Sequence, residues 1–168
     1  MNLQDIHKLR LMNDYRLLCS ITDNDFFTWE PIKGIVPYVE EYLFTIKVRT
    51  YAAPNTKINQ CKVRILLPPT YPQVAPVAIM EDPKIYHPNW LESGRYDCGC
   101  YKMTEILAVF VWRMIQNIQF NPTYVNPHSP FNHSAAQWYL ANQQLFPSDN
   151  KTYTLQTVLE GKSSNDSL

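Results

Sequence analysis

Glycine is scarce in this chain: 4 residues in 168, against 13 prolines. Few flexible positions and many rigid ones argue for fixed connections rather than loops that wrap a phosphate. Neither GxGxxG nor GxxxxGK followed by Ser or Thr occurs, and HExxH is missing as well, which removes the usual dinucleotide, P-loop and zinc-protease readings. An excess of charge is also lacking. Fifteen basic residues balance fifteen acidic ones, and with no basic run there is no electrostatic case for nucleic acid or an anionic membrane as partner. No apolar run reaches the roughly 18 residues of a membrane span, and none follows a basic N-terminus, so neither a transmembrane helix nor a signal peptide is expected. The expected setting is cytoplasmic, where thiols stay reduced. Cys19, Cys61, Cys98 and Cys100 are then free thiols unless one is catalytic or binds metal. What the chain has in plenty is apolar and aromatic residues, 45% and 13%, enough for one domain with a core that needs no disulfide or metal.

The periodicities place the elements. Residues 3–18 read as a helix, with Leu3, Ile6 and Leu9 on one face, Leu11, Tyr15 and Leu18 on a neighbouring one, and His7, Lys8, Arg10 and Arg16 on a basic side. Residues 26–35 are aromatic and β-branched, a first strand. Residues 42–51 alternate from Phe44, with Phe44, Ile46 and Val48 opposite Thr45, Lys47 and Arg49, as a half-buried strand does. Ala53-Pro54-Asn55 turns the chain. Cys61, Val63 and Ile65 alternate with Lys62 and Arg64 until Pro68-Pro69 end the third strand, and residues 76–80 form a fourth. Short links between successive strands predict an antiparallel meander. Residues 81–104 have no period and many turn formers. A loop that long inside a compact domain is often functional. Residues 105–120 are apolar on nearly every face until Arg113, so this helix belongs at the centre of the core. After Asn121-Pro122, a further helix over 135–145 is expected, capped by Ser134. The tail from Lys162 is polar and reads as disordered. Helix, four strands, loop, buried helix, helix: the fold class is α+β.

The chemistry concentrates between Tyr71 and Cys100. Cys98 and Cys100 flank Gly99, with Asp97 and Lys102 beside them. Three readings compete. Free cysteines are often small buried hydrophobes. With His87 and His128 or His133, the pair could ligate zinc, although the spacing fits no common frame. The third reading is a nucleophilic thiol, which attacks a thioester and yields a new thioester still reactive toward amines. His87, held between Tyr86 and Pro88, reads better as a hydrogen-bonded turn residue than as a base. Asn89 is either a turn former or a donor to the oxyanion that forms when an amine attacks.

These residues resemble a family. Tyr71-Pro72, Pro76-Val77, Lys84-Ile85-Tyr86-His87-Pro88-Asn89 and Gly94-Arg95 ahead of a cysteine look like the core of ubiquitin-conjugating enzymes. Asn126-Pro127-His128-Ser129-Pro130 with Ala135-Ala136 is similar to the family's segment before its late helix, and Phe27-Thr28-Trp29-Glu30 to its early strand. The resemblance covers about residues 3–145. It implies the UBC fold, with a catalytic domain over 1–146 and a C-terminal extension over 147–168. It also implies a reaction: a catalytic cysteine takes ubiquitin or a ubiquitin-like protein from an activating enzyme and passes it to a lysine amine or another thiol. No cofactor is implied, because the activating enzyme uses the ATP. Asn89 would be the oxyanion donor, His87 would order the loop, and Ser129 would stand at the gate of the site. The activating enzyme would dock on the first helix, where His7, Lys8 and Arg10 are candidates. A ligase or a substrate protein is the further partner, and a non-catalytic variant that only binds the modifier is the alternative.

The chain also departs from the family. The cysteine usually lies eight positions after the asparagine, and that position holds Asp97; Cys98 lies nine on and Cys100 eleven. Cys98 is the nearer candidate nucleophile, Cys100 the alternative, and Asp97 a further candidate site residue. The link from the cysteines to the central helix is short and lacks the family's Trp-Ser-Pro, and Gln73 stands where an aromatic follows Tyr-Pro. Both features serve ligase binding in typical members. Such departures suggest a divergent member, such as one from a bacterial ubiquitin-like conjugation system.

Overall fold

A computed structural model describes residues 1–21 and 24–146. Helix α1 spans Leu3–Ser20 and is followed by strands β1 (Phe27–Ile35), β2 (Tyr38–Ile46), β3 (Thr50–Ala53), β4 (Thr56–Ile58), β5 (Cys61–Leu66) and β6 (Val77–Met80). Helices α2 (Leu107–Ile118) and α3 (His133–Ala141) close the described chain with a short 3-10 turn, Gln143–Leu145. The C-terminal extension expected over 147–168 lies outside the described residues.

The main sheet has the order β1-β2-β5-β6, each neighbour antiparallel. Its inner face carries the predicted alternation: Tyr42, Phe44 and Ile46 on β2 and Cys61, Val63 and Ile65 on β5 are buried, while Lys62 and Arg64 face solvent. The second strand differs from expectation. It starts at Tyr38 rather than Tyr42 and stops at Ile46 rather than Tyr51. The Lys47 N–H still reaches the Phe26 carbonyl (2.7 Å), after which the chain bends away. Thr50–Ala53 then pairs with Thr56–Ile58 in a separate hairpin whose turn holds Asn55 at φ 63°. Asparagine tolerates that left-handed backbone better than most side chains.

Helix α1 is pinned at its start by a reciprocal Asn2–Asp5 capping box. It buries Leu11, Asp14 and Leu18, not the Leu3–Leu9 face, where both leucines stay exposed. Helix α2 starts at Leu107 and ends at Ile118, two residues shorter at each end than the pattern suggested, and it is almost wholly buried. It shares one core with α1 and the sheet: Phe110, Val111, Met114 and Ile115 lie with Leu11, Leu18, Tyr42, Phe44, Val63 and Trp90. Burying each such side chain stabilises the fold by roughly 1.5–3 kcal/mol before entropy is counted. A second cluster of Tyr51, Phe120, Val125 and Tyr139, with Trp138, Leu145 and Phe146 against it, seats α3. The cap of α3 is Asn132, whose Oδ1 accepts from the Ala135 N–H at 3.0 Å. Ser134 lies inside the first turn, so its expected capping role passes to the residue just before the helix.

The two helices meet through polar groups. Asp14, 2% exposed, accepts from the Leu107 N–H at 3.1 Å and caps the N-terminus of α2 across 93 residues of sequence. Tyr71 Oη donates to the other oxygen of Asp14. Burial raises the Asp14 carboxyl above its ordinary range, against the pull of these donors and of Arg10. Arg10 donates to Tyr71 Oη (2.9 Å) and to the carbonyls of Met103 (2.6 Å) and Glu105 (2.7 Å). The short link into α2 is therefore tied to α1. Among the described residues, no helix is long and apolar enough to cross a membrane.

Candidate active site

Residues 81–104 form the expected long loop. It is ordered by two isolated bridges, Ile79–Arg95 and Trp90–Tyr96, the latter with stacked rings 4.7 Å apart. Gly94 sits at φ +97°, where a Cβ would lie 2.5 Å from the Met80 carbonyl, so the bend after Leu91 requires glycine.

His87 is fully buried on the ring of Phe120, centroids 4.4 Å apart. Its Nε2–H donates to the Asn117 carbonyl at 2.7 Å, and its Nδ1 accepts the Asn89 N–H at 3.0 Å. Both ring nitrogens are engaged. Burial drives its pKa down to about 3, with only the Asn117 carbonyl opposing. This neutral, saturated imidazole fixes the turn and has no free nitrogen to act as a base.

Asn89 is buried beside it. Its Nδ2–H donates to the Asn126 carbonyl (2.8 Å), and its Oδ1 accepts from the Asn126 N–H (2.9 Å) and from Asn117 Nδ2 (3.1 Å). The amide is thus held on three sides, with one of its two Nδ2 hydrogens committed to Asn126. The late segment also closes over the turn, since the Phe131 and Asn132 N–H groups both donate to the Pro88 carbonyl at 2.8 and 3.0 Å.

Cys98 and Cys100 line one cleft of about 230 Å³ with Asn89, Asn117, Asn126, Tyr124 and Arg113. Cys98 is half-buried against the main core, and Cys100 is exposed at the rim. Asp97 shapes the loop between them. Its N–H donates to the Asn89 carbonyl at 2.8 Å, its Oδ1 accepts from the Gly99 N–H at 3.0 Å, and Gly99 follows at φ +64°. The Cys98 thiol is raised above its ordinary pKa, first by burial and then by the Asp97 charge, while the Arg113 guanidinium pulls it down. Cys61, deep in the sheet, is pushed up to about 12 by burial alone, an inert thiol.

The remaining predicted residues fall elsewhere. Ser129 is exposed, outside the lining of the cleft. Its N–H donates to Asn126 Oδ1 at 3.3 Å. On α1, Lys8 is exposed, but His7 Nδ1 bonds the Tyr71 carbonyl at 2.7 Å and Arg10 is spent on internal bonds. Of the residues named for zinc, His87 has both ring nitrogens engaged, and among the described residues no three His, Cys, Asp or Glu side chains are grouped so as to hold a metal.

Asn117, Arg113 and Glu105 belong to no motif in the sequence. Asn117 is the hub, since its Nδ2 also donates to the Tyr124 carbonyl (2.9 Å) and its Oδ1 accepts from Trp90 Nε1 (2.9 Å). The available signal is polarity out of place: Arg113 and Gln116-Asn117 in a helix whose other residues are all apolar.

No family model matches the sequence, and no curated protein matches it. The structure is similar to that of S. cerevisiae Ubc12, at 20% identity and a TM-score of 0.59, over 87% of this chain and 77% of that one. It is also similar to that of human ubiquitin-conjugating enzyme E2 G1, at 16% identity and a TM-score of 0.52, over 66% of this chain and 93% of that one. What the chain shares with both is their fold.

Proposed function

From the ubiquitin-conjugating fold as premise, we propose that this chain accepts the C-terminus of ubiquitin or a ubiquitin-like protein as a thioester on Cys98 and passes it to a lysine amine or another thiol. The observation that carries this reading is the meeting, in one cleft, of a half-buried thiol and the immobilised amide of Asn89. The Cys98 thiolate attacks the thioester carbonyl presented by the activating enzyme. The old C–S bond breaks, and the activating enzyme's cysteine leaves as thiolate. An amine then attacks the new thioester, the C–S bond to Cys98 breaks, and the amine's proton passes to solvent. The Nδ2 hydrogen of Asn89 not committed to Asn126 donates to the oxyanion of that second step. One such preorganised donor is typically worth about 10²–10³ in rate. A raised thiol pKa is tolerable, because the acyl donor is already activated.

In this reading His87 and Asp97 shape the loop, Ser129 orients the incoming amine from the rim, and the activating enzyme docks on α1 near Lys8. ATP is consumed by that enzyme, and the chain needs no cofactor of its own. A ligase or substrate protein completes the reaction, although Gln73 and the short link before α2 disfavour a conventional RING or HECT partner. The test is charging with an activating enzyme, ATP and a panel of modifiers, read on a non-reducing gel. A thiol-sensitive adduct should be lost in Cys98→Ser and kept in Cys100→Ser, while Asn89→Ala charges but discharges slowly to lysine. Loss only in Cys100→Ser would move the nucleophile. No adduct with any modifier that loads the activating enzyme would leave a modifier-binding module instead.

A further inference from the structure

Arg113 occupies a place that packing alone does not explain. It lies on α2 and is the only Lys or Arg among the described residues lining the cleft. Its Nη1 donates to the backbone carbonyl of Cys98 at 3.0 Å. Its Nε and Nη2 both donate to Glu105 Oε1, at 3.1 and 2.8 Å. The two side chains are 21% and 13% exposed, so the pair is screened little by water. A guanidinium fork of this kind has a fixed geometry: Glu105 sets its plane, and the plane sets where Cys98 stands.

We propose that Arg113 is the positioning residue of the Cys98 thiol, anchoring that residue's own carbonyl and supplying the cleft's positive charge, with Glu105 as the brake on that charge. The proposal rests on Cys98 as the reacting thiol. The charged groups that face the thiol are Arg113 from α2, Asp97 from the loop and Glu105 from the link before α2; the Tyr96 phenol beside it stays neutral, its titration raised by burial. Asp97 and Glu105 disfavour the thiolate, and Arg113 opposes them. Without Arg113 the thiol would face burial and two carboxylates with only a backbone hydrogen bond on the other side. A single opposite charge within about 4–6 Å moves a pKa by about 1–3 units. Sharing the guanidinium with Glu105 lowers that, to a change of about three- to tenfold in thiolate fraction near neutral pH.

The test needs no activating enzyme. In the full chain, with Cys100→Ser as a common background, iodoacetamide alkylation of Cys98 is followed from pH 6 to 10 by mass on the peptide 96–102. Arg113→Gln should move the midpoint to higher pH and slow alkylation at pH 7 by about three- to tenfold. Arg113→Lys, which keeps the charge and loses the fork, should restore most of that rate. Glu105→Gln should move the midpoint the opposite way. A merely structural role would lower the melting temperature in all three and leave the midpoint in place, and that result overturns the proposal. So does a Glu105→Gln midpoint that rises; this arm decides the matter even if Arg113→Gln does not fold. Alkylation shifts of the expected signs in a protein that no modifier charges would keep Arg113's role and remove the conjugating reaction. Charging by the wild type with no alkylation shift would do the reverse.

Discussion

Replacing Asn117 by leucine keeps the branch at Cγ and the number of side-chain heavy atoms at a buried position, and removes the hydrogen bonds. Three side-chain bonds go: those to Tyr124 O, Asn89 Oδ1 and Trp90 Nε1. Asn89 Oδ1 keeps its bond from the Asn126 N–H, so it is not orphaned. Trp90, 0% exposed, keeps a buried N–H with no acceptor, and the Tyr124 carbonyl loses its donor. Each unsatisfied buried group costs about 1–3 kcal/mol. Allowing for the apolar gain of leucine, the net loss is about 2–4 kcal/mol, or roughly 5–15 °C in melting temperature for a domain of this size. The bond from His87 to the residue 117 carbonyl is to backbone and survives. Urea unfolding should therefore show a lower midpoint at unchanged slope. The same variant should still charge, and should discharge to lysine more slowly than wild type but faster than Asn89→Ala. A loss below about 1 kcal/mol at unchanged slope would refute the reasoning, because the hub would then not bear the load its bonds imply.

Two further outcomes follow from the loop. His87 titrates near 6.5 in the unfolded chain and near 3 in the fold, so the unfolded state binds a proton the folded state does not. Stability should be full above pH 6.5 and fall through the window from 6.5 toward 3, by about 1.5 kcal/mol between pH 6.5 and 5; urea titrations in which His87→Asn shows the same fall would contradict this. Gly94→Ala drives a Cβ into the Met80 carbonyl at 2.5 Å, whereas at Gly99 nothing lies within 4 Å. Gly99→Ala should then cost only its left-handed backbone, about 1–2 kcal/mol, while Gly94→Ala costs clearly more; equal melting temperatures would show that the bend relaxes.

The element order was legible because each element carries its own period: Phe44-Ile46 and Cys61-Val63-Ile65 alternate, and residues 107–118 are apolar on every turn. The start of β2 was hidden because Glu40-Glu41 interrupts its apolar face, and the β3–β4 hairpin because alternation from Phe44 runs on unbroken past the bend. The site was half legible. His87, Asn89 and Cys98 are close in sequence and fall in one motif-bearing loop. The groups that hold them come from far away: Asn117 lies 28 positions from Asn89, and Arg113 lies 15 from Cys98. No local pattern encodes such pairs. Asp14 could have been singled out, since it shares the helical stripe of Leu11 and Leu18, where a carboxylate must have a partner waiting.

That carboxylate gives α1 an unexpected reporter. The first amides of a helix normally exchange with solvent quickly, since they have no partner in their own helix. The Leu107 amide has one, supplied by Asp14. Its deuterium uptake therefore measures how often α1 lifts from the body of the protein, not how often α2 frays. A protein that grips α1 would slow exchange at Leu107, on the far side of a contact it never touches.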